Sequence, residues 1–298
     1  MTASAYNILE TIIDVLCVGE VLIDFIGHQA ETQINNTRDY HRYLGGSPTN
    51  LAMNVARLGL NSTIVATVGD DGFGEYIFNR LEGEGVRTNY VSTIANKPTS
   101  VIFVSRSEST PEFIPFREAD SIISESQIPT ELLQRTRIFH TTSFALSKEP
   151  AQSTILKKAE EAFNIGCKLS IDYNYSSKIW SSKTKALEVI KTYCKFNPLV
   201  KISEDDMFRL FDAHLPHEEI FNFFHEEGVD TVCLTLGSKG VKLSQKEEAI
   251  IELPAIKIEK VMDSTGAGDA FWSGFLFAYT QKKSMRACLD VALKLAAL

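Results

Sequence analysis

The chain predicts an α/β fold: a parallel sheet flanked by helices, with a small β-sheet lid. Three observations carry that prediction. Short apolar, strand-like runs alternate with amphipathic stretches through most of the chain. Helix punctuation falls between those runs, where a β-α-β order needs it. Two segments, 32–46 and 99–120, hold strand-like runs with no helix between them. Such segments suit antiparallel ribbons that leave a main sheet.

The elements follow in order. "DVLCVGE" at 14–20 is almost unbroken apolar sequence, the pattern of a strand buried on both faces. "SPTNLAMNVARLG" at 47–59 is a helix in which Ser47 suits the N-cap, Pro48 the first helical position and Gly59 the stop. "STIVATVG" (62–69) is a strand and "GFGEYIFNRLEGEG" (72–85) a helix. Further strands are "IFHTT" (138–142), "KLSID" (168–172), "PLVKIS" (198–203) and "DTVCLTLG" (230–237), separated by helical patterns at 150–164, 183–195 and 216–227. The ribbons "TQINNTRDYHRYLGG" (32–46) and "TSVIFVSRSESTPEFIPFREAD" (99–120) make the lid over a site near Gly45 and Gly46; a pair of surface hairpins is the plainer alternative.

Composition bounds the function. The 298 residues, 44% hydrophobic, accommodate one large domain with an insertion or two domains. Net charge is −8 with no Lys/Arg block, which disfavours nucleic acid as a partner. No apolar run is long enough to span a bilayer, and the first twenty residues lack the basic start of a secretory signal. Cys17, Cys167, Cys194, Cys233 and Cys288 form no CxxC pair and read as reduced core residues of a cytoplasmic protein.

The chemistry gathers in "VMDSTGAGDAFWSGFL" at 261–276. Gly266, Ala267 and Gly268 leave backbone N–H groups bare at the start of an apolar helix, where the dipole favours an anion. Asp269 then stands as a base beside that anion site. Taken alone, the stretch is equally a glycine turn capped by an aspartate. No GxxxxGK[ST] loop occurs, which disfavours a P-loop enzyme.

Ligands of open α/β sheets bind beyond the carboxyl ends of the strands. The loops predicted there carry "GEVLIDF" (19–25), "GGSPTN" (45–50), "DYN" (172–174), "TLGSKG" (235–240) and "DSTGAGD" (263–269). In this combination and order the chain resembles the ribokinase-like sugar kinases, the PfkB family, over nearly its whole length. "GEVLIDF" and "PFREAD" are most similar to fructokinases. The resemblance implies one α/β kinase domain over 1–298, ATP with Mg²⁺, a monovalent cation such as K⁺, and a small sugar as partner. It implies Asp269 as the base for the sugar hydroxyl and the N–H groups of Gly266, Ala267 and Gly268 as the anion hole. It places Asp24, Gly45, Gly46 and Asn50 on the sugar, with Arg117 and Phe103 from the lid. Asn174, Thr235, Gly237 and Gly240 fall on the nucleotide side, and Asp263 beside a cation.

Departures from the family pattern accompany these expectations. The Asn-x-x-Glu that orders water around Mg²⁺ is here "KISEDDMF", with Ser203 and Asp206 at the two positions. Ser203 and Asp206 equally suit a helix-start capping pair. Ser176 stands where fructokinases often carry arginine, and "LKLAAL" ends inside a helix that relatives extend with a segment walling the adenine. His214 and His217 open a polar helix and read as surface. Fructose is the first substrate expectation. A sugar such as ribose, the acid 2-keto-3-deoxygluconate, a nucleoside, or a silent binding protein on this fold are the alternatives. Exposed ribbon edges make the lid a dimer contact, with a monomer as the other outcome.

Overall fold

Buried β-branched runs build the frame. In the computed structural model, which describes residues 12–30, 32–106, 112–257 and 266–298, nine strands form one sheet in the order β13-β12-β11-β10-β9-β8-β1-β4-β5. They are β1 (Ile13–Val18), β4 (Ser62–Gly69), β5 (Arg87–Ile94), β8 (Thr136–Thr142), β9 (Lys168–Asp172), β10 (Leu199–Ser203), β11 (Thr231–Thr235), β12 (Val241–Gln245) and β13 (Ile251–Leu253). Strands β5 to β11 along that order pair in parallel, while β12 and β13 add an antiparallel edge. Every residue of β1 and of β4 is buried, as expected for strands covered on both faces.

Helices cover both faces. On one, Ala151–Ile165, Lys183–Cys194 and His217–Glu226 close a core around Phe139, Tyr173, Tyr193 and Phe224. On the other, Ser47–Arg57, Gly72–Gly83, Ala267–Thr280 and Met285–Ala296 close a core around Leu51, Ile64, Trp272 and Phe275. Among the described residues no helix is long and apolar enough to cross a membrane. All five cysteines are free and buried.

The second sheet has the order β3-β2-β6-β7, with β2 (Leu22–Ala30), β3 (Tyr40–Gly45), β6 (Val101–Arg106) and β7 (Phe113–Phe116). It therefore contains the two expected ribbons and one strand more. β2 lies between them, antiparallel to β3 and parallel to β6. Asp71 fastens its base to the main body. The Asp71 carboxylate accepts from the N–H groups of Phe73 and Gly74, capping their helix, and also from the Thr99 N–H and hydroxyl ahead of β6.

One helix start differs from expectation. Gly46, not Ser47, is the N-cap residue, at φ 101, and Ser47 and Pro48 are the first helical residues. A side chain at Gly46 would be strained by that φ and would also meet the Glu20 carbonyl oxygen at 2.5 Å. The shift releases the Ser47 hydroxyl from capping duty.

Candidate active site

The carboxyl ends of the central strands open on one side of the sheet. Glu20 follows β1, Asp172 ends β9, Ser203 ends β10 and Thr235 ends β11. The helix Ala267–Thr280 starts there, with Gly266 as N-cap at φ 80, a left-handed conformation that glycine supplies without strain. A glycine N-cap has no side chain of its own to occupy the first N–H groups, and a helix start of this kind suits an anion.

Asp269 sits in that first turn. Its carboxylate accepts from the Ser47 hydroxyl at 2.6 Å and from the Asn50 side-chain amide at 2.8 Å. Burial raises its pKa, and the two donors and the Lys201 charge pull it back. Asp24 reaches the same place from β2. Burial, reinforced by the charge of Asp269, pushes its carboxyl up to about 7. Gly45 lies opposite: a methyl group there would come within 2.2 Å of an Asp24 carboxylate oxygen. A cavity of about 460 Å³ is lined by Asp24, Asn50, Gly266 and Ala267. That volume suits a small ligand.

A second tier holds this arrangement. Glu20, 1% exposed, accepts from the Ser47 N–H and from the Thr142 hydroxyl, and its carbonyl accepts from the Thr49 hydroxyl. Burial pushes the Glu20 carboxyl up to about 8. Lys201 on β10 donates to both oxygens of Asp172 at 2.9 and 2.8 Å. Neither Glu20 nor Lys201 is among the expected site residues. Both had a signal in the sequence, a charge set in or against an apolar strand run.

The structure brings together Asp24, Gly45, Gly46, Asn50, Gly266, Ala267, Gly268 and Asp269. Phe103 lies elsewhere. Ile102 pairs with Asp24, whereas Phe103 pairs with Phe25, and neighbours along a strand face opposite ways. Phe103 stacks on Phe25 at 5.1 Å and meets Tyr40 and Phe116 edge-on. Arg117 is committed within the protein. It donates twice to Asp120 and once to Ser147, with its guanidinium 4.0 Å from the centre of the Phe144 ring.

The nucleotide-side residues lie at the ends of β9 to β11. Asn174 accepts from the Phe144 N–H, and the Thr235 hydroxyl donates to the Ile202 carbonyl. The turn after β11 carries Gly237 and Gly240 at φ 57 and 110. Asp206 is used as the capping reading foresaw. One oxygen accepts from the Ser203 N–H and hydroxyl and the other from Arg209. Both oxygens thus have partners within the protein. Among the described residues, no group of three or more His, Cys, Asp or Glu side chains could hold a metal ion. Asp263 lies outside the described residues.

Comparison with known proteins gives the family. Residues 13–298 match the family described as pfkB family carbohydrate kinase. The chain is 37% identical over 276 residues to an ATP-dependent 6-phosphofructokinase of Thermoanaerobacterium thermosaccharolyticum, covering 91% of this chain and 84% of that protein. The structure of Halothermothrix orenii fructokinase superposes with a TM-score of 0.86 at 32% identity, covering 96% of this chain and 99% of that one. A sugar kinase of Pyrococcus horikoshii in complex with ATP superposes at 0.83 with 26% identity, covering 95% and 91%.

Proposed function

This chain belongs to the pfkB family of carbohydrate kinases, and within it we propose that the chain transfers the γ-phosphoryl group of ATP to fructose, giving fructose 6-phosphate. ATP-dependent sugar phosphorylation is the activity of the family branch it joins, and fructose is the finer reading. The observation that carries the proposal is Asp269. It is a buried carboxylate in the first turn of a helix that starts at a glycine, and it is held by Ser47 and by Asn50, which lines a cavity together with Asp24, Gly266 and Ala267.

The mechanism follows from that placement. A sugar hydroxyl is a poor nucleophile near neutral pH, so its proton must leave as the phosphoryl group arrives. Asp269 takes the proton. Ser47 and Asn50 hold its two oxygens, so the carboxylate is oriented before the sugar enters. Charge developing on the phosphoryl oxygens meets the N–H groups of Gly266, Ala267 and Gly268. Asp24 accepts from sugar hydroxyls, and the bare Gly45–Gly46 backbone lets the ring approach. Glu20 keeps that turn in place through the Ser47 N–H. On the nucleotide side, Thr235, Gly237 and Gly240 line the phosphates. When bound, Mg²⁺ neutralises charge on the ATP phosphates. Ser203 and Asp206 hold one another at the start of the helix that follows β10, with Asp206 the residue that would order water around the ion. The lid sheet closes over the sugar, and its edges, with Ile114 and Phe116 exposed on β7, suit a homodimer contact.

One observation favours a second acceptor, fructose 6-phosphate. The cavity beside Asp24 is also lined by His28, His41 and Arg106, cationic or protonatable groups that a neutral sugar does not require. The test is phosphorylation of a panel: fructose, fructose 6-phosphate, ribose, 2-keto-3-deoxygluconate and adenosine. Highest kcat/KM on fructose supports the first reading and highest on fructose 6-phosphate the second. Preference for ribose or adenosine overturns both.

A further inference from the structure

Beneath the anion-binding turn lies a cation to which the steps above give no role. Lys201 is in the middle of β10, and its side chain is 8% exposed. A lone ammonium could not remain charged there, and Asp172, 3% exposed, is its partner. Burial works against the charge, but Asp172, Asp206 and Asp269 outweigh it and hold the lysine above its ordinary pKa. The neutral His140 of β8 and Cys233 of β11 also lie in its field.

The ammonium is aimed at the phosphoryl-transfer turn. A methyl group built on Gly268 would lie 3.1 Å from Lys201 Nζ and 3.8 Å from its Cε, the nearest atoms from outside its own helix among the described residues. Gly268 has no unusual backbone angle that demands glycine. Its missing side chain leaves room for the lysine. Around this point the fold gathers the carboxylates of Asp24, Asp172 and Asp269, a set that repels an incoming polyphosphate. An oriented cation held under the helix start offsets them without reorganising during the reaction.

We propose that Lys201 is a positioning residue for phosphoryl transfer: clamped by Asp172 under Gly268, it holds the anion-hole turn and the Asp269 carboxylate in the arrangement that transfer requires. The inference rests on the kinase reading. Turnover of sugar by the unaltered protein tests that reading first, and the variants below test only the lysine.

Three variants decide it. Lys201→Met removes the charge, and the stranded Asp172, whose carboxyl burial already pushes up to about 7, takes a proton. We expect kcat to fall about a hundredfold, while the sugar KM changes much less. Lys201→Met combined with Asp172→Asn replaces the pair by neutral groups and protects the fold if the single variant is unstable. If Lys201 positions the turn, the double variant stays slow. If Lys201 merely neutralises Asp172, the double variant regains near-normal kcat and the proposal fails. Gly268→Ala approaches the same contact from the helix side. Alanine favours the helix but must push the ammonium aside, so kcat should fall about tenfold or more at an unchanged or raised melting temperature. Full kcat in a folded Gly268→Ala protein also overturns the proposal.

Discussion

Replacing Asp269 separates chemistry from architecture. Among the described residues its carboxylate is held by Ser47 and Asn50 and accepts nothing from its own helix. The cost of losing a cap therefore does not apply. In Asp269→Ala, the Ser47 hydroxyl and the Asn50 amide each lose an acceptor, about 1–3 kcal/mol per group if neither finds another. Against this, the variant removes a desolvated charge that repels Asp24. The two terms oppose, so the net change in stability should be at most a few kcal/mol. The catalytic loss runs one way. A positioned general base is worth about 10²–10⁴ in rate, or about 3–5 kcal/mol of barrier. Asp269→Asn keeps the shape but accepts no proton, so it should match the alanine variant in kcat. The assay is ADP release under saturating sugar and ATP, with a thermal melt on the same samples. The pH profile adds a sign. Only the ionised form accepts the proton, and burial raises the pKa. The acid limb of kcat should therefore fall off above the ordinary carboxylate range of about 4 and vanish in the variants. A folded Asp269→Ala protein with kcat within tenfold of the unaltered enzyme refutes the mechanism.

Glu20 makes stability pH-dependent. Its folded pKa, about 8, is raised above the ordinary value of 4.5, so its contribution is complete below about pH 4.5 and is lost as pH rises to about 8. Glu20→Gln should flatten urea-melt stability across that window; an unchanged slope would count against a protonated Glu20. Arg117→Ala strands the fully buried Asp120 carboxylate and should cost about 3–5 kcal/mol. Arg117→Lys, without the two-pronged donation, should recover only part of the loss, as a thermal melt will show. If the second sheet closes over sugar, saturating fructose should slow amide exchange in β6 and β7; equal exchange with and without sugar removes the lid reading.

What the sequence made legible follows from how local each signal is. Six strands of the main sheet, β1, β4, β8, β9, β10 and β11, lie within two residues of their apolar runs, because a strand buried on both faces needs no partner to be recognised. The outer strands β5, β12 and β13 carry no such run: Arg87, Asn89 and Ser92 break the first, and Lys242, Ser244, Gln245 and Glu252 the other two. The resemblance places Phe103 on the sugar, where a lid aromatic would make a cover. Whether it faces the site depends on its register against Asp24, one residue of which reverses the face. That register belongs to the pairing of β2 with β6, strands that lie some eighty residues apart in the chain.

Ser47 shows the same limit at the centre of the site. Ser-Pro before an apolar helix is a strong local signal for a cap followed by the first turn. The structure moves the cap one residue back, because Gly46 can adopt a φ of 101 that serine would resist. The hydroxyl is then free to donate to Asp269, a carboxylate 222 residues further along the chain. A local rule was overridden where a distant functional group competed for the same side chain. The substitution Gly46→Ala should reverse the gain. Strain at φ and the contact with the Glu20 carbonyl oxygen would push the turn outward and carry Ser47 away from Asp269. Such a φ costs a non-glycine residue about 1–2 kcal/mol, and the clash adds to it. The resulting loss should show in kcat as well as in melting temperature, because the displaced residue orients the base. Loss of stability with normal kcat in the folded fraction would mean that Ser47 holds Asp269 only as a structural contact.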